Sequence, residues 1–325
     1  MKKILLFCAL GLFLTNCSQL QFQHIEGSAF GTYYAITYKG KAKPDLQAGV
    51  DSILRMVNSQ FSIFDSSSLV SRINNNQDFT LTEDFITVFN KAQFIAQETN
   101  GAFDMTIGPL VDIWGFGRSK RQENISQECI DSILTCIGYD KIHITDGQLV
   151  KNDIRIQLNF NALAKGYAVD KVAEYLVSQG YNDVLVDIGG EIVAKGKKYP
   201  DEEWNIGIQT PTISRDGEMR SEQSFHLCNK AVATSGNYRN YVEEDGIRYT
   251  HIIDPTTGRP EKSTLLSVSV IMEDCMSADA YATAFMVMGK TKTMNFLLKH
   301  PEITCYFISG ENGDYKVEKY QTMKK

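Results

Sequence analysis

Segments with a helical period and segments with a strand period alternate along this chain, and short turns join several of the strand segments. Asp45–Phe64 carries its apolar residues on one helical stripe, and Val184–Ile188 is a short apolar run typical of a buried strand. Asp146-Gly147 and Asn312-Gly313 lie between apolar runs, which is a usual sign of a β-hairpin. Because hairpin-linked strands pair antiparallel, we expect an α+β fold, with a single large body and a mainly antiparallel sheet flanked by helices.

The N-terminus has the pattern of an export signal. Lys2 and Lys3 precede an apolar run, Ile4–Leu14, which is too short to span a bilayer and is typical of the h-region of a signal peptide. The following Leu14–Cys17 resembles a bacterial lipobox, in which the cysteine is lipidated and becomes the first mature residue. A plain secretory signal with a chance cysteine is the alternative.

These features predict three parts of the chain. Residues 1–16 would be a lipoprotein signal peptide, residues 17–26 a tether after the lipidated Cys17, and residues 27–321 the folded domain. We therefore expect an exported protein that is lipid-anchored to a bacterial membrane and faces the periplasm.

Charge and motif content exclude several classes of function. The formal net charge is −6, and no run of Lys or Arg occurs in the body, so nucleic acid is not an expected partner. The chain contains no P-loop, no G-x-G-x-x-G, no H-E-x-x-H and no G-x-S-x-G. A core of sizeable volume is expected, because the chain has 325 residues of which 43% are hydrophobic.

His251 lies in the most informative stretch, Arg248–Pro260. The stretch begins with the pattern of a strand, and Asp254–Gly258 then predicts a tight turn, because Pro fixes φ, Asp can bond the turn and Gly accepts positive φ. A histidine just before such a corner is placed to meet a ligand. Taken alone, however, a lone histidine is more often an ordinary core or surface imidazole.

Three other segments could join His251 in an anion and metal site. Asn159–Asp170 is predicted to be a strand that runs into a helix. Lys165, in the first turn of that helix, either pairs with an anion or extends to solvent. Asp279 and Thr283 share one helix face and offer oxygen ligands suited to Mg²⁺, unless both only bond their own helix. Thr234–Tyr241 offers hydroxyls and an arginine suited to phosphate, or is a polar turn. The apolar, glycine-rich 102–117 suits a loop over a flat ligand or an irregular part of the core.

Taken in order, the motifs resemble the ApbE family of exported FAD:protein FMN transferases over nearly the whole mature chain. The matching pieces are Phe30–Thr32, Gly101–Val111, Trp114–Gly117, Ala164–Asp170, Thr234–Tyr241, His251–Pro260 and Asp279–Thr283. The resemblance implies transfer of FMN from FAD to a threonine hydroxyl of an exported or membrane flavoprotein, with release of AMP. It also implies acceptors of the respiratory membrane type.

The resemblance assigns roles residue by residue. His251 would be the catalytic base, and one or two Mg²⁺ ions would be held by Asp279, Thr283 and the main-chain carbonyl of Ala162. FAD would be lined by Phe30, Phe64, Ala102, Phe103, Asp104, Asn159, Lys165 and Ile253. Phe30 stands where methionine is common and Phe64 where tyrosine is common, and Asn159 and Lys165 stand where acids can occur.

Two other functions fit the same residues. In the first, water replaces threonine and the protein is an FAD diphosphatase that yields FMN and AMP. In the second, it is a non-catalytic periplasmic lipoprotein that binds flavin. AMP release that does not depend on the acceptor would favour the diphosphatase. Bound FAD that stays intact with Mg²⁺ and acceptor present would favour the non-catalytic lipoprotein.

Overall fold

A computed structural model describes residues 21–213, 219–237, 241–244, 247–260, 264–311 and 314–322. Within these ranges the strands are β1 (Phe22–Ala29), β2 (Thr32–Lys39), β3 (Ile142–Thr145), β4 (Gln148–Lys151), β5 (Val184–Ile188), β6 (Glu191–Lys195), β7 (Trp204–Ile213), β8 (Met219–Leu227), β9 (Lys230–Gly236), β10 (Tyr241–Glu244), β11 (Ile247–Thr250), β12 (Leu265–Met272), β13 (Thr304–Glu311) and β14 (Asp314–Tyr320). The helices are α1 (Leu46–Phe61), α2 (Leu69–Asn74), α3 (Glu83–Glu98), α4 (Gly108–Ile113), α5 (Gln127–Leu134), α6 (Ala164–Ser178) and α7 (Cys275–Leu297).

A large sheet organises the described part of the chain. Its eight strands run in the order β1-β2-β5-β6-β9-β12-β13-β14, and every neighbouring pair is antiparallel. The pairs β3-β4, β7-β8 and β10-β11 form separate two-stranded ribbons. The predicted α+β fold with a mainly antiparallel sheet is therefore confirmed.

The two faces of the large sheet bury different partners. On one face, alternate strand residues such as Val193, Ala233 and Val268 pack into a core with helices α1, α3, α6 and α7. On the other face, Trp204 and Phe225 of the β7-β8 ribbon pack in a second cluster with residues of β6, β9 and β13. This alternation is the two-residue period of a sheet that is covered on both sides.

Helices α6 and α7 approach each other closely, and this contact positions the start of α7. A Cβ added at Gly166 would lie 2.3 Å from the carbonyl oxygen of Cys275, so only glycine fits there without a backbone shift. Both oxygens of Asp170 accept hydrogen bonds from the first turn of α7, from the amides of Cys275 and Met276, at 2.9 Å each. Asp170 thus satisfies amides that the helix itself cannot pair.

Several element boundaries differ from the sequence-based expectation. β1 begins inside the segment interpreted as a tether: residues 22–26 pair with β2, and Ile25 is buried. The sequence pattern of Phe225–Thr234 predicts one strand, but the structure has two, because the chain turns at Asn229 with φ 52° and passes from the ribbon to the large sheet. The sequence indicates Ser277 as the cap of the helix that carries Asp279, but Asp274 caps this helix, α7. In the described part of the chain, no helix has both the length and the apolar character needed to cross a bilayer.

Candidate active site

A cavity of about 550 Å³ lies where the starts of α6 and α7, the loop around α4 and the end of β9 converge. Its volume is within the range of small-molecule sites. Ten residues singled out from the sequence line it: Ala102, Phe103, Asp104, Asn159, Ala162, Lys165, His251, Ile253, Asp279 and Thr283. Segments far apart in the chain are therefore brought together at one place.

Three other residues singled out from the sequence lie elsewhere. Phe30 is at the β1-β2 turn with φ 53°, and Phe64 follows α1 with 67% of its surface exposed. Neither side chain lines the cavity. Cys17 lies outside the described residues.

His251 faces the cavity from the segment that follows β11. The strand ends at Thr250, one residue before it, so His251 is in a bend and not in the strand that its alternation suggested. Its half-buried ring meets the ring of Phe116 edge to face, with 6.3 Å between centroids. An imidazole at this position can accept a proton from a hydroxyl that enters the cavity.

The turn after His251 is fixed by the chemistry that its sequence predicted. Asp254 Oδ1 accepts hydrogen bonds from the amide and the hydroxyl of Thr256, at 2.8 and 2.7 Å. Gly258 has φ 67°, and its carbonyl accepts a 2.8 Å hydrogen bond from the indole of Trp114. A rigid turn pinned to the end of α4 therefore supports the position of His251.

Asp279 and Thr283 lie one helical turn apart on α7 and both line the cavity. Asp279 is 7% exposed, and its Oδ2 accepts a 3.1 Å hydrogen bond from the amide of Gly166 on α6. Burial raises the pKa of Asp279 to about 6, against the opposing effects of the Lys165 ammonium and of that amide. Within the described ranges, the Thr283 hydroxyl makes no hydrogen bond back to its own helix.

The carbonyl of Ala162 is also left open. In a regular helix the amide of Gly166 would donate to this carbonyl, four residues earlier, but it donates to Asp279 instead. Among the described residues, no hydrogen bond to the Ala162 carbonyl occurs. A carboxylate, a hydroxyl and a free carbonyl are the hard oxygen donors that Mg²⁺ prefers, so these residues fit the ion. The described ranges hold no cluster of three His, Cys, Asp or Glu side chains suited to a metal.

Lys165 forms an ion pair with another residue of the cavity lining. Its Nζ lies 2.5 Å from Oε2 of Glu191, the first residue of β6. That oxygen makes no hydrogen bond of good angular geometry, and the short contact with the ammonium is what compensates its charge. Burial lowers the pKa of Lys165, but the carboxylates of Glu191 and Asp279 outweigh that effect and raise it overall. Burial likewise raises the pKa of Glu191, although Lys165 opposes the rise.

Asp104 and Asn159 line the cavity but use their side-chain oxygens within the protein. Asp104 accepts hydrogen bonds from the amide and the hydroxyl of Thr106 and from the amide of Tyr139, at 2.7 to 2.8 Å. The Oδ1 of Asn159 accepts a 2.9 Å hydrogen bond from the amide of Asn161. These bonds shape the cavity wall. Burial raises the pKa of the Asp104 carboxyl, although its hydrogen bonds oppose the change.

The cavity lining also includes residues that were given no individual role from the sequence. Glu191 and Asp187 flank the Gly189-Gly190 turn, Tyr33 donates a 3.1 Å hydrogen bond to Asp187, and Phe116 meets His251. The sequence did contain one indication that Lys165 has an anionic partner such as Glu191. A lysine in the first turn of a helix is unfavourable unless an anion lies close to its ammonium. Glu191 is that anion.

The sequence of this chain is similar to those of proteins of one family. Residues 30–307 match the model of the ApbE family. A FAD:protein FMN transferase of Vibrio cholerae serotype O1 is 38% identical over 304 residues, covering 90% of each chain. One of Haemophilus influenzae is 33% identical over 331 residues, covering 96% of this chain and 95% of the relative.

Solved structures of proteins of the same family are similar in fold to this chain. The flavin transferase ApbE from Vibrio cholerae has a TM-score of 0.82 at 34% identity, covering 92% of this chain and 97% of that one. The apo form of the Pseudomonas stutzeri flavinyl transferase ApbE has a TM-score of 0.82 at 31% identity, covering 94% and 96%. The similarity thus extends over nearly the whole folded body.

Proposed function

This chain belongs to the ApbE family, as its ordered motifs predicted, and from that membership we propose that it transfers FMN from FAD to a threonine hydroxyl of another protein. The released product is AMP, and the reaction depends on Mg²⁺. One observation carries the proposal beyond the family name: His251 and the oxygen donors of Ala162, Asp279 and Thr283 line the same cavity.

The proposed chemistry is a single phosphoryl transfer. The threonine oxygen forms a bond to the phosphorus of the FMN half of FAD, and the bond from that phosphorus to the bridging oxygen breaks. AMP leaves with the bridging oxygen. The hydroxyl proton passes to the ring of His251, which acts as a general base. Positioning and charge neutralisation contribute most of the catalysis in such reactions.

Different residues of this chain would bind the cation, line the flavin and hold the imidazole in place. Ala162, Asp279 and Thr283 would hold the cation, which when bound neutralises charge on the diphosphate and on the leaving group. Phe103, Phe116 and other apolar residues give the cavity walls that suit a flavin ring. The rigid turn after His251 keeps the imidazole at the cavity, so little reorganisation is needed on reaction.

The acceptor and the location of the reaction are part of the same proposal. The signal-like residues 1–16 and the lipobox-like Leu14–Cys17 support an exported protein anchored through Cys17, which would meet exported or membrane flavoproteins. Respiratory membrane subunits are the acceptors we propose. Labelling cells with palmitate tests the anchor: wild-type protein should take up label and Cys17→Ser should not, and equal labelling would refute it.

Release of AMP from FAD tests the proposed reaction. Purified protein would be incubated with FAD, with or without Mg²⁺, and with or without a purified flavoprotein subunit that has a threonine acceptor. We expect AMP to form only when Mg²⁺ and acceptor are both present. The Asp279→Ala variant should lose this Mg²⁺-dependent activity, because it removes the one carboxylate of the donor set.

The outcomes separate the competing functions. AMP release that is independent of the acceptor would replace transfer by FAD hydrolysis, and FAD that stays intact in every mixture would leave only flavin binding. Full activation of Asp279→Ala by Mg²⁺ would show that the ligand assignment is wrong. Asp274→Ala, at the cap of the same helix, serves as a control for loss of a carboxylate outside the cavity.

A further inference from the structure

Glu191 is a buried carboxylate to which the proposed reaction gives no part. It stands with Val193 on the face of β6 that the helices cover, and its side chain is 4% exposed. A lone charge at such a position costs several kcal/mol, which the contact with Lys165 offsets. Hydrophobic residues of similar size would fill the same space at lower cost. The presence of the pair at this point of the cavity therefore suggests a role in the site.

Two buried carboxylates attract the same ammonium. Asp279 accepts a hydrogen bond from the amide of Gly166, the residue after Lys165, and its charge raises the pKa of Lys165. Yet the ammonium of Lys165 is 2.5 Å from Glu191, and within the described part of the chain it forms no ion pair with Asp279 at 4.0 Å or less. The ammonium is thus paired with Glu191, while Asp279 lines the cavity and, among the described residues, accepts one hydrogen bond, from the amide of Gly166.

We propose that Glu191 is a positioning residue: by binding Lys165, it keeps the ammonium away from Asp279 and leaves that carboxylate available to a divalent cation. Without Glu191, the ammonium would move to Asp279 and compete with the metal for the same oxygens. An ammonium a few ångströms from a carboxylate interacts by some kcal/mol in a partly buried site, which is enough to change metal affinity. The inference rests on the proposed function in one respect, that Asp279 is a metal ligand.

Calorimetric titration of the full chain with MgCl₂, in the absence of FAD, tests the proposal without relying on activity. Glu191→Gln keeps the size of the side chain and removes its charge. We expect it to bind Mg²⁺ about tenfold more weakly than the wild type. Lys165→Gln removes the competing ammonium, and we expect it to bind Mg²⁺ as tightly as the wild type or more tightly.

The double variant Glu191→Gln with Lys165→Gln gives the decisive comparison. If Glu191 acts through Lys165, removal of the lysine restores Mg²⁺ affinity to within about threefold of the wild type. If Glu191 only supports the local fold, the double variant binds as weakly as Glu191→Gln, and the proposal is overturned. The matched control is Glu318→Gln, which breaks a 2.5 Å pair with Lys290 that does not line the cavity, and it should not change the affinity.

The possible failures can be told apart. Wild-type protein whose Mg²⁺ binding is absent, or is unchanged by Asp279→Ala, overturns the proposed metal site and this inference with it. Wild-type binding that depends on Asp279 but not on Glu191 overturns this inference alone. Should Glu191→Gln fail to fold, Lys165→Gln still decides the matter, because weaker Mg²⁺ binding by that variant contradicts competition from the ammonium.

Discussion

Among single residues, those proposed to hold the metal keep oxygen atoms that no hydrogen bond within the described ranges uses. The Ala162 carbonyl and the Thr283 hydroxyl make no hydrogen bond in the described part of the chain. Asp279 uses one of its two carboxylate oxygens to accept a hydrogen bond from the amide of Gly166. A carbonyl, a hydroxyl and a carboxylate oxygen that no such bond uses, on residues that line one cavity, are available to a ligand. Asp104 is the contrasting case, because its bonds hold the wall together.

His251→Ala should separate binding from chemistry. The imidazole lies at the cavity but is one of many lining groups, so we expect FAD affinity, measured by quenching of flavin fluorescence, to change little. Transfer should slow by roughly 10²–10⁴-fold, the usual contribution of a general base. His143→Ala is the matched control, since His143 is exposed on β3 outside the cavity, and it should behave as wild type. Undiminished transfer by His251→Ala would remove the histidine from the mechanism.

At the scale of elements, the α6-α7 contact connects the two metal-ligand segments. Gly166 allows the close approach, and Asp170 bonds the first two amides of α7, so Asp279 is held against the start of α6. The contact lies at helix ends, where four amides lack partners within the helix. A carboxylate from a neighbouring helix therefore serves both stability and alignment of the site.

Asp170→Ala should destabilise the fold. It leaves two partly buried amides without their carboxyl acceptor, and we expect the free energy of unfolding, measured by chemical denaturation, to fall by about 2–4 kcal/mol. Asp45→Ala is the matched control, because Asp45 stands at the start of α1 but makes no capping hydrogen bond, and its loss should cost less than about 0.5 kcal/mol. Equal effects of the two substitutions would contradict the role given to Asp170.

Elements with local signals could be predicted from the sequence, and those set by packing could not. Thr82, a residue type that favours helix caps, accepts the capping bond at the start of α3, β5 has the expected bounds, and the Asp254–Gly258 turn forms as its residues require. β1 was missed because its half-polar sequence pairs with β2 by tertiary packing. The break at Asn229 was missed because no local rule moves a strand from one sheet to another.

The same distinction applies to the site. The spacing of Asp279 and Thr283 on one helix face follows from helix geometry, and the structure places both at the cavity. The partner of Lys165 does not follow from spacing, because it depends on how α6 packs over β6. Phe30 and Phe64 were included by resemblance alone, and they lie outside the cavity lining.

At the scale of the whole molecule, the cavity is assembled by the sheet. The loop before α4, the start of α6, the β5-β6 turn, the segment after β11 and the start of α7 meet only when the antiparallel strands are in register. Helices cover one face of that sheet and the β7-β8 ribbon covers the other, so the surrounding framework is packed on both sides. Function therefore depends on the complete body, which agrees with a family match over residues 30–307.

The proposed reaction moves FMN from FAD to threonine within one cavity. Its most direct test is mass spectrometry of candidate exported flavoprotein subunits, each co-expressed with wild-type protein, with Asp279→Ala or with His251→Ala. We expect an FMN adduct on a threonine of an acceptor with the wild type, and little or none with either variant. Adducts of equal yield with all three proteins, or AMP production by the wild type with no adduct on any acceptor, would contradict it.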